Sequence, residues 1–144
     1  MEIKDVNHIS FVVTDINRSI YFYENILGIK LLDVSTRDQG FSQKVTNIQG
    51  IKLKIAYLVI KDCKIELIQY THTSMNFIRQ SDDEMFGHLC LNVEGLQEFY
   101  ESNKLKVQFV CEPLRIPAGV NKNGYMVYLY DLDRNKIELI EKPQ

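Results

Sequence analysis

The chain has 144 residues, of which 45% are hydrophobic and 25% charged, proportions typical of a globular domain with a buried core. The formal net charge of −2 gives no electrostatic reason to expect a nucleic acid or an anionic membrane as partner. No apolar run approaches the roughly 20 residues of a membrane span, and the charged start of the chain lacks the apolar centre of a signal peptide. We expect a cytoplasmic protein whose three cysteines, Cys63, Cys90 and Cys111, are free thiols.

The first half of the chain predicts a strand, a helix and three further strands. Asn7–Val13 alternates like a strand, and Asp15 then offers an N-cap to a helix whose apolar stripe is Ile16, Ile20, Tyr23 and Leu27. Gly28 suits the left-handed residue that follows a helix end. The predicted strands lie near Leu31–Ser35, Leu53–Ile60 and Lys64–Tyr70.

The second half predicts the same order of elements. A strand at Gly87–Val93 precedes a short helix around Leu96–Tyr100. Three strands follow near Val107–Glu112, Gly124–Tyr130 and Lys136–Ile140. Turn-forming residues at 61–62 and 131–135 separate the last two strands of each half.

An internal repeat explains this common order. Lys64–Ile68 and Lys136–Ile140 are identical, and His8–Val13 is echoed by His88–Val93. We therefore predict an α+β fold of two βαβββ modules with pseudo-twofold symmetry, which form a cupped mixed sheet around a metal cleft. Module 1 covers about residues 4–72 and module 2 about 85–142, within a single domain of residues 1–144.

Alternation along the strands places one histidine and one glutamate of each module on the same face. Apolar neighbours must pack under the helix, so His8 and Glu66 point the other way, as do His88 and Glu138. A carboxylate flanked by apolar residues is costly without a cation. Two imidazoles and two carboxylates suit one divalent ion, which is Zn, Ni, Co, Mn or Fe(II). In the alternative interpretation each glutamate lies on a solvated sheet face and the repeat serves packing alone.

Several motifs together carry a family resemblance. They are His8–Val13, Phe22–Gly28, the two Ile-Glu-Leu strands, Gly87-His88 and Tyr130–Asn135. With them the chain resembles the vicinal oxygen chelate superfamily, which includes glyoxalase I, methylmalonyl-CoA epimerase, extradiol dioxygenases, and the fosfomycin and bleomycin resistance proteins. Asp131–Asn135 is similar to the Asp-Pro-Asp-Gly-Asn turn of that family, with Leu132 and Arg134 in place of its Pro and Gly.

The resemblance implies a function. The ligand pattern His8, Glu66, His88 and Glu138 resembles bacterial glyoxalase I, whereas the epimerase usually has Gln where this chain has Glu66. It implies a metal-dependent lyase or isomerase that stabilises an enediolate next to a carbonyl, with Glu138 and also Glu66 as catalytic proton carriers. The alternatives are an acyl-CoA epimerase, a non-catalytic binding or resistance protein, and an Fe(II) dioxygenase. The expected partners are a small-molecule substrate and a second copy of the chain in a homodimer.

Two positions argue against glutathione as the thiol carrier. Bacterial glyoxalase I has Arg four residues after the first His and Asn four residues after the first Glu. This chain has Val12 and Tyr70 at those places. The resemblance therefore implies glyoxalase-like chemistry with a different thiol or acyl carrier.

Overall fold

The computed structural model describes residues 1, 6–71 and 87–143. The chain divides into two compact units, residues 1–79 and 80–144, and each unit is described by itself. Both combine a mixed sheet with short helices, so the predicted α+β class is confirmed. The predicted module boundaries near residues 4, 72 and 85 lie outside the described residues, and the division into modules within a single domain stays a prediction.

The first unit is a four-stranded sheet with two helices. Its strand order is β1-β4-β3-β2, in which β1 and β4 are parallel and the other neighbours antiparallel. The elements are β1 (Ile9–Val12), α1 (Ile16–Asn25), β2 (Lys30–Arg37), α2 (Gln39–Thr46), β3 (Lys52–Ile60) and β4 (Cys63–Thr71).

The second unit repeats that order of strands. Its sheet runs β5-β9-β8-β6, with β5 and β9 parallel, and β7 also pairs with β8. The elements are β5 (Leu89–Asn92), α3 (Leu96–Asn103), β6 (Gln108–Phe109), β7 (Leu114–Arg115), β8 (Tyr125–Tyr130) and β9 (Lys136–Glu141). The predicted βαβββ repeat is thus confirmed in strand order and direction.

The predicted ends of α1 are also confirmed. The Asp15 carboxylate accepts hydrogen bonds from the backbone N–H groups of Asn17 and Arg18, which have no partner inside the helix. Gly28 has a φ of +68°, the left-handed conformation that the sequence predicted after the helix. Ile16 and Tyr23 are fully buried, so the apolar stripe of α1 faces the sheet.

Two parts of the fold differ from the prediction. Helix α2 was not predicted, because its eight residues contain only two apolar side chains, Phe41 and Val45. Both are exposed, whereas Ser42 is buried. The predicted strand Val107–Glu112 is reduced to the two residues of β6 and one further backbone hydrogen bond, from Val110 to Tyr128, before β7 pairs with β8. Pro113 lies between them and has no N–H to donate to a neighbouring strand.

Alternation along β4 and β9 sorts side chains onto two faces. Ile65, Leu67 and Ile137 are completely buried on the apolar face. The opposite face of each strand carries its glutamate.

No described helix is long and apolar enough to cross a membrane.

Candidate metal centre

In the first unit, His8 and Glu66 form a close pair. Ser10 of β1 is aligned with Glu66 of β4, and His8 precedes Ser10 by two residues, so it projects from the same face. His8 Nε2 lies 3.2 Å from Glu66 Oε2. Glu66 is only 5% exposed, so its carboxylate requires a compensating partner.

The other ring nitrogen of His8 contacts the neighbouring side chain of Asn7. Nδ1 lies 3.0 Å from the amide oxygen of Asn7, which accepts a hydrogen bond when Nδ1 carries the proton. In that tautomer the neutral ring has an unprotonated Nε2 that faces a carboxylate oxygen. Two lone pairs then point at each other, and only a second proton or a metal cation between them makes the contact favourable. In metal-bound histidines, the ring nitrogen that does not bind the metal also typically donates a hydrogen bond.

The second unit contains the equivalent pair. Cys90 of β5 is aligned with Glu138 of β9, and His88 precedes Cys90 by two residues. His88 Nε2 lies 2.8 Å from Glu138 Oε2, and Glu138 is 9% exposed. The structure thus brings together the two residues of each predicted pair. The union of both pairs on one ion stays a prediction.

Each pair fits two ligands of one divalent ion. Ligand atoms about 2.0–2.2 Å from an ion lie about 2.8–3.1 Å apart in neighbouring octahedral positions and about 3.3–3.6 Å apart in a tetrahedron. The separations of 2.8 and 3.2 Å are near the octahedral values. Among the described residues of either unit, no three His, Cys, Asp or Glu side chains gather as a metal site. One unit alone therefore supplies two of the four predicted ligands.

A tyrosine accompanies each pair. Tyr57 of β3 lies directly opposite Glu66, and its ring packs edge-on against His8 with centroids 5.6 Å apart. Its hydroxyl donates to Glu66 Oε1 at 2.5 Å. This bond, with burial and the charge of Glu66, raises the pKa of Tyr57 to about 12.

Tyr128 is the counterpart in the second unit. It lies opposite Glu138 on β8, and its ring is edge-on to His88 with centroids 5.3 Å apart. Burial and the negative charge of Glu138 raise its pKa. In the part of the chain that the structure describes, its hydroxyl makes no hydrogen bond to Glu138.

Cys90 occupies the position that Ser10 has in the first unit. Its thiol lies beside the Glu138 carboxylate and donates a weak hydrogen bond to it. Burial of the sulfur, the negative charge of Glu138 and this hydrogen bond raise the pKa of the thiol to about 11. Cys90, Tyr57 and Tyr128 were not identified from the sequence as neighbours of the carboxylates.

The face that carries Glu66 becomes apolar farther along the sheet. Ile68 is aligned with Ile55 and with Val12, and Tyr70 is aligned with Leu53. Ile68 and Tyr70 pack against the buried cluster formed by Ile51, Leu53 and Ile55. Val12 and Tyr70, the two positions that argued against glutathione, therefore lie on the same face as Glu66.

The chain matches the family described as "Glyoxalase/Bleomycin resistance protein/Dioxygenase superfamily" over residues 5–139. The chain belongs to this superfamily, as the sequence motifs indicated. The superfamily includes metal-dependent enzymes such as the fosfomycin-resistance thiol transferases.

Individual relatives agree with this assignment. The metallothiol transferase FosB of Lysinibacillus sphaericus is 36% identical over 91 residues, which are 62% of this chain and 60% of that protein. A glyoxalase family protein from Bacillus cereus superposes with a TM-score of 0.83 at 18% identity, covering 100% of this chain and 97% of that one. A fosfomycin resistance protein, FosX, from Listeria monocytogenes complexed with Mn(II) and sulfate has a TM-score of 0.63 at 20% identity, covering 99% and 95%. At these identities the two structures show the fold alone.

Proposed function

We propose that this protein is a metal-dependent lyase or isomerase that removes and returns a proton next to a carbonyl group. The observation that carries the proposal is the repeated His–Glu pair with a buried carboxylate, 3.2 Å apart in one unit and 2.8 Å in the other. A single such pair is a common hydrogen-bonded contact. We infer from two equivalent pairs on equivalent strands that the four side chains are the ligands of one divalent ion.

The residues of the chain have distinct tasks in this proposal. His8, Glu66, His88 and Glu138 hold the ion, which would be Zn, Ni, Co, Mn or Fe(II). When bound, the ion supplies Lewis-acid stabilisation of the negative charge that develops on substrate oxygens as the proton departs. Glu138 accepts the proton and returns it, with Glu66 as the equivalent carboxylate on the other pair. The buried surroundings of both glutamates exclude water from the carboxylate that carries the proton.

The apolar part of the Glu66 face indicates the character of the substrate. Val12, Ile68 and Tyr70 offer no charge to the carboxylates of glutathione. A charge-assisted hydrogen bond contributes roughly 1.5–3 kcal/mol, so the loss of two lowers affinity by about 10²–10⁴-fold. We therefore favour a hemithioacetal of a smaller thiol, and the nearest alternative is an acyl-CoA epimerase reaction with the same proton transfer.

The similarity to FosB favours a second candidate, a metallothiol transferase. The two candidates differ in chemistry, because a transferase joins a thiol to its substrate whereas a lyase or isomerase moves a proton. They also differ in the use of Glu66. The superfamily resemblance gives fosfomycin-type sites two His and one Glu as protein ligands, and the lyase branch a fourth ligand.

Metal analysis followed by turnover assays tests the proposal. We expect about one divalent ion per chain and turnover with hemithioacetals of small thiols. Thiol addition to fosfomycin, with no turnover of any hemithioacetal or acyl-CoA, would establish the transferase instead. Ordinary kcat/KM for glutathione hemithioacetal, above about 10⁴ M⁻¹s⁻¹, would show that the inference from Val12 and Tyr70 was mistaken.

A paired substitution sharpens the test of specificity. Val12→Arg combined with Tyr70→Asn introduces the residue types that the resemblance assigns to bacterial glyoxalase I. We expect this double variant to use glutathione hemithioacetal better than the wild type. An unchanged preference would remove these two positions from the specificity argument.

We also propose that the protein functions as a homodimer, as the family resemblance implies. Light scattering at micromolar concentration should give twice the mass of 16.8 kDa. A monomeric mass would contradict the proposal.

A further inference from the structure

The two carboxylates are held in different ways, although the sequence repeat makes them equivalent. Glu66 accepts a hydrogen bond at Oε1 from Tyr57, and its Oε2 faces His8. Glu138 faces His88 through Oε2 and has the thiol of Cys90 as its neighbour. A thiol is a weak donor compared with a phenol hydroxyl, so Glu138 has no counterpart of the hydrogen bond that Tyr57 donates to Glu66.

We propose that Tyr57 is a positioning residue that fixes the orientation of Glu66 as a metal ligand. The inference rests on the proposed function, since it concerns the same metal site. It goes beyond that proposal because it separates the two glutamates: a tyrosine hydroxyl donates to Glu66, whereas Tyr128 makes no such bond to Glu138 among the described residues.

The register of the sheet makes this role possible. Tyr57 lies directly opposite Glu66 across the β3–β4 pair, so the phenol hydroxyl is within hydrogen-bond distance of one carboxylate oxygen. The hydrogen bond from Tyr57 occupies Oε1 of Glu66 and leaves Oε2 directed at His8 Nε2. These two atoms would be the metal ligands of the pair. Rotation of the carboxylate would cost the bond from Tyr57, so Glu66 is preorganised before an ion binds.

The surroundings of Tyr57 hold the phenol itself in place. Its ring packs against the cluster of Ile51, Leu53 and Ile55 and lies edge-on to His8. These two contacts hold the ring where its hydroxyl donates to Glu66. Outer groups that orient a metal ligand in this way typically change metal affinity by 10–100-fold when they are removed.

Tyr57→Phe and Tyr128→Phe form a matched pair of variants. Both remove one hydroxyl from equivalent strand positions, but only Tyr57 donates to its glutamate. We expect Tyr57→Phe to weaken Zn²⁺ or Mn²⁺ binding by about 10-fold or more, measured by competition with a chelator. The Tyr128→Phe variant should lose distinctly less. When the proteins are loaded with Co²⁺, the visible absorption spectrum should differ from that of the wild type only for Tyr57→Phe.

Two further measurements separate positioning from a general structural role. Thermal unfolding of the metal-free variants shows whether the fold is intact, and a single cooperative transition well above the assay temperature, even if lower than that of the wild type, is sufficient for the affinity comparison. If Tyr57 acts through Glu66, then Tyr57→Phe should have no further effect on metal affinity in a Glu66→Gln background. Equal losses in both backgrounds would overturn the inference.

The failure of each proposal has its own signature. A wild-type protein that binds no divalent ion overturns the proposed function and this inference together. A wild-type protein that binds the ion, with a Tyr57→Phe variant that binds it equally well, overturns the inference alone. An equal loss in the Tyr57 and Tyr128 variants would also overturn it, because the hydrogen bond to Glu66 would then have no special effect.

Discussion

His88 and Glu138 are separated by 50 positions in the chain, yet His88 Nε2 lies 2.8 Å from Glu138 Oε2. Replacement of Glu138 by Gln keeps the shape of the side chain and removes its charge. We expect metal affinity to fall by more than about 100-fold, beyond the usual effect of an outer-shell change, and activity to be lost. Metal titration and steady-state kinetics measure both effects.

The fold of the Glu138→Gln variant should be intact, because the substitution is nearly isosteric. Glu101→Gln on the exposed side of α3 is a suitable control and should bind metal as the wild type does. Wild-type turnover in the Glu138 variant would disprove the assignment of Glu138 as ligand and base.

The hydroxyl of Tyr57 predicts a pH-dependent contribution to stability in the metal-free protein. Its pKa is about 12 in the folded state and 10.0 as the ordinary value, so the unfolded state loses this proton first as pH rises. The stabilising contribution is complete below pH 10 and is lost between about pH 10 and 12. We expect the difference in unfolding free energy between wild type and Tyr57→Phe to shrink over that interval, as measured by denaturant titration. A difference that stays constant would contradict the predicted pKa.

The thiol of Cys90 should react slowly with alkylating reagents. Although the residue is exposed, burial of its sulfur and the Glu138 carboxylate raise its pKa to about 11, and only the thiolate is a good nucleophile. Glu138→Gln removes the charge and leaves the burial, so Cys90 should then react faster. Alkylation followed by peptide mass spectrometry distinguishes Cys90 from Cys63 and Cys111. Equal rates for Cys90 in both proteins would contradict the role of Glu138.

The turn before β9 should be a point of high sensitivity to substitution. Buried Asp131 accepts hydrogen bonds at Oδ1 from the backbone N–H groups of Asp133 and Asn135, and at Oδ2 from the Asn135 side chain at 2.7 Å. Asp131→Ala leaves buried donors without this acceptor, at a cost of about 3 kcal/mol or more.

The control for this turn is Asp62→Ala in the exposed turn between β3 and β4, which should change stability by less than about 0.5 kcal/mol. Chemical denaturation measures both variants. If the two variants lost stability equally, the hydrogen bonds of Asp131 would not be what stabilises the turn into β9.

Much of the candidate site could be predicted from the sequence because strand alternation is a local property. Side chains two residues apart on a strand lie on the same face of the sheet. The apolar neighbours of Glu66 and Glu138 were therefore sufficient to place both carboxylates on the face away from the helices. The repeat then paired each glutamate with a histidine. The partners across the sheet were missed, although the two-residue turn at Lys61-Asp62 contained the register that aligns Tyr57 with Glu66.

The sequence by itself determined the module order, the strand faces and the His–Glu composition of each pair. Only the tertiary structure decided that Tyr57 donates to Glu66, that Cys90 adjoins Glu138, and that α2 forms between β2 and β3. The face on which a side chain lies follows from the backbone geometry within one strand, and this geometry is the same for every residue type. Hydrogen bonds between strands depend on register, turn length and side-chain packing, which arise only when distant segments meet.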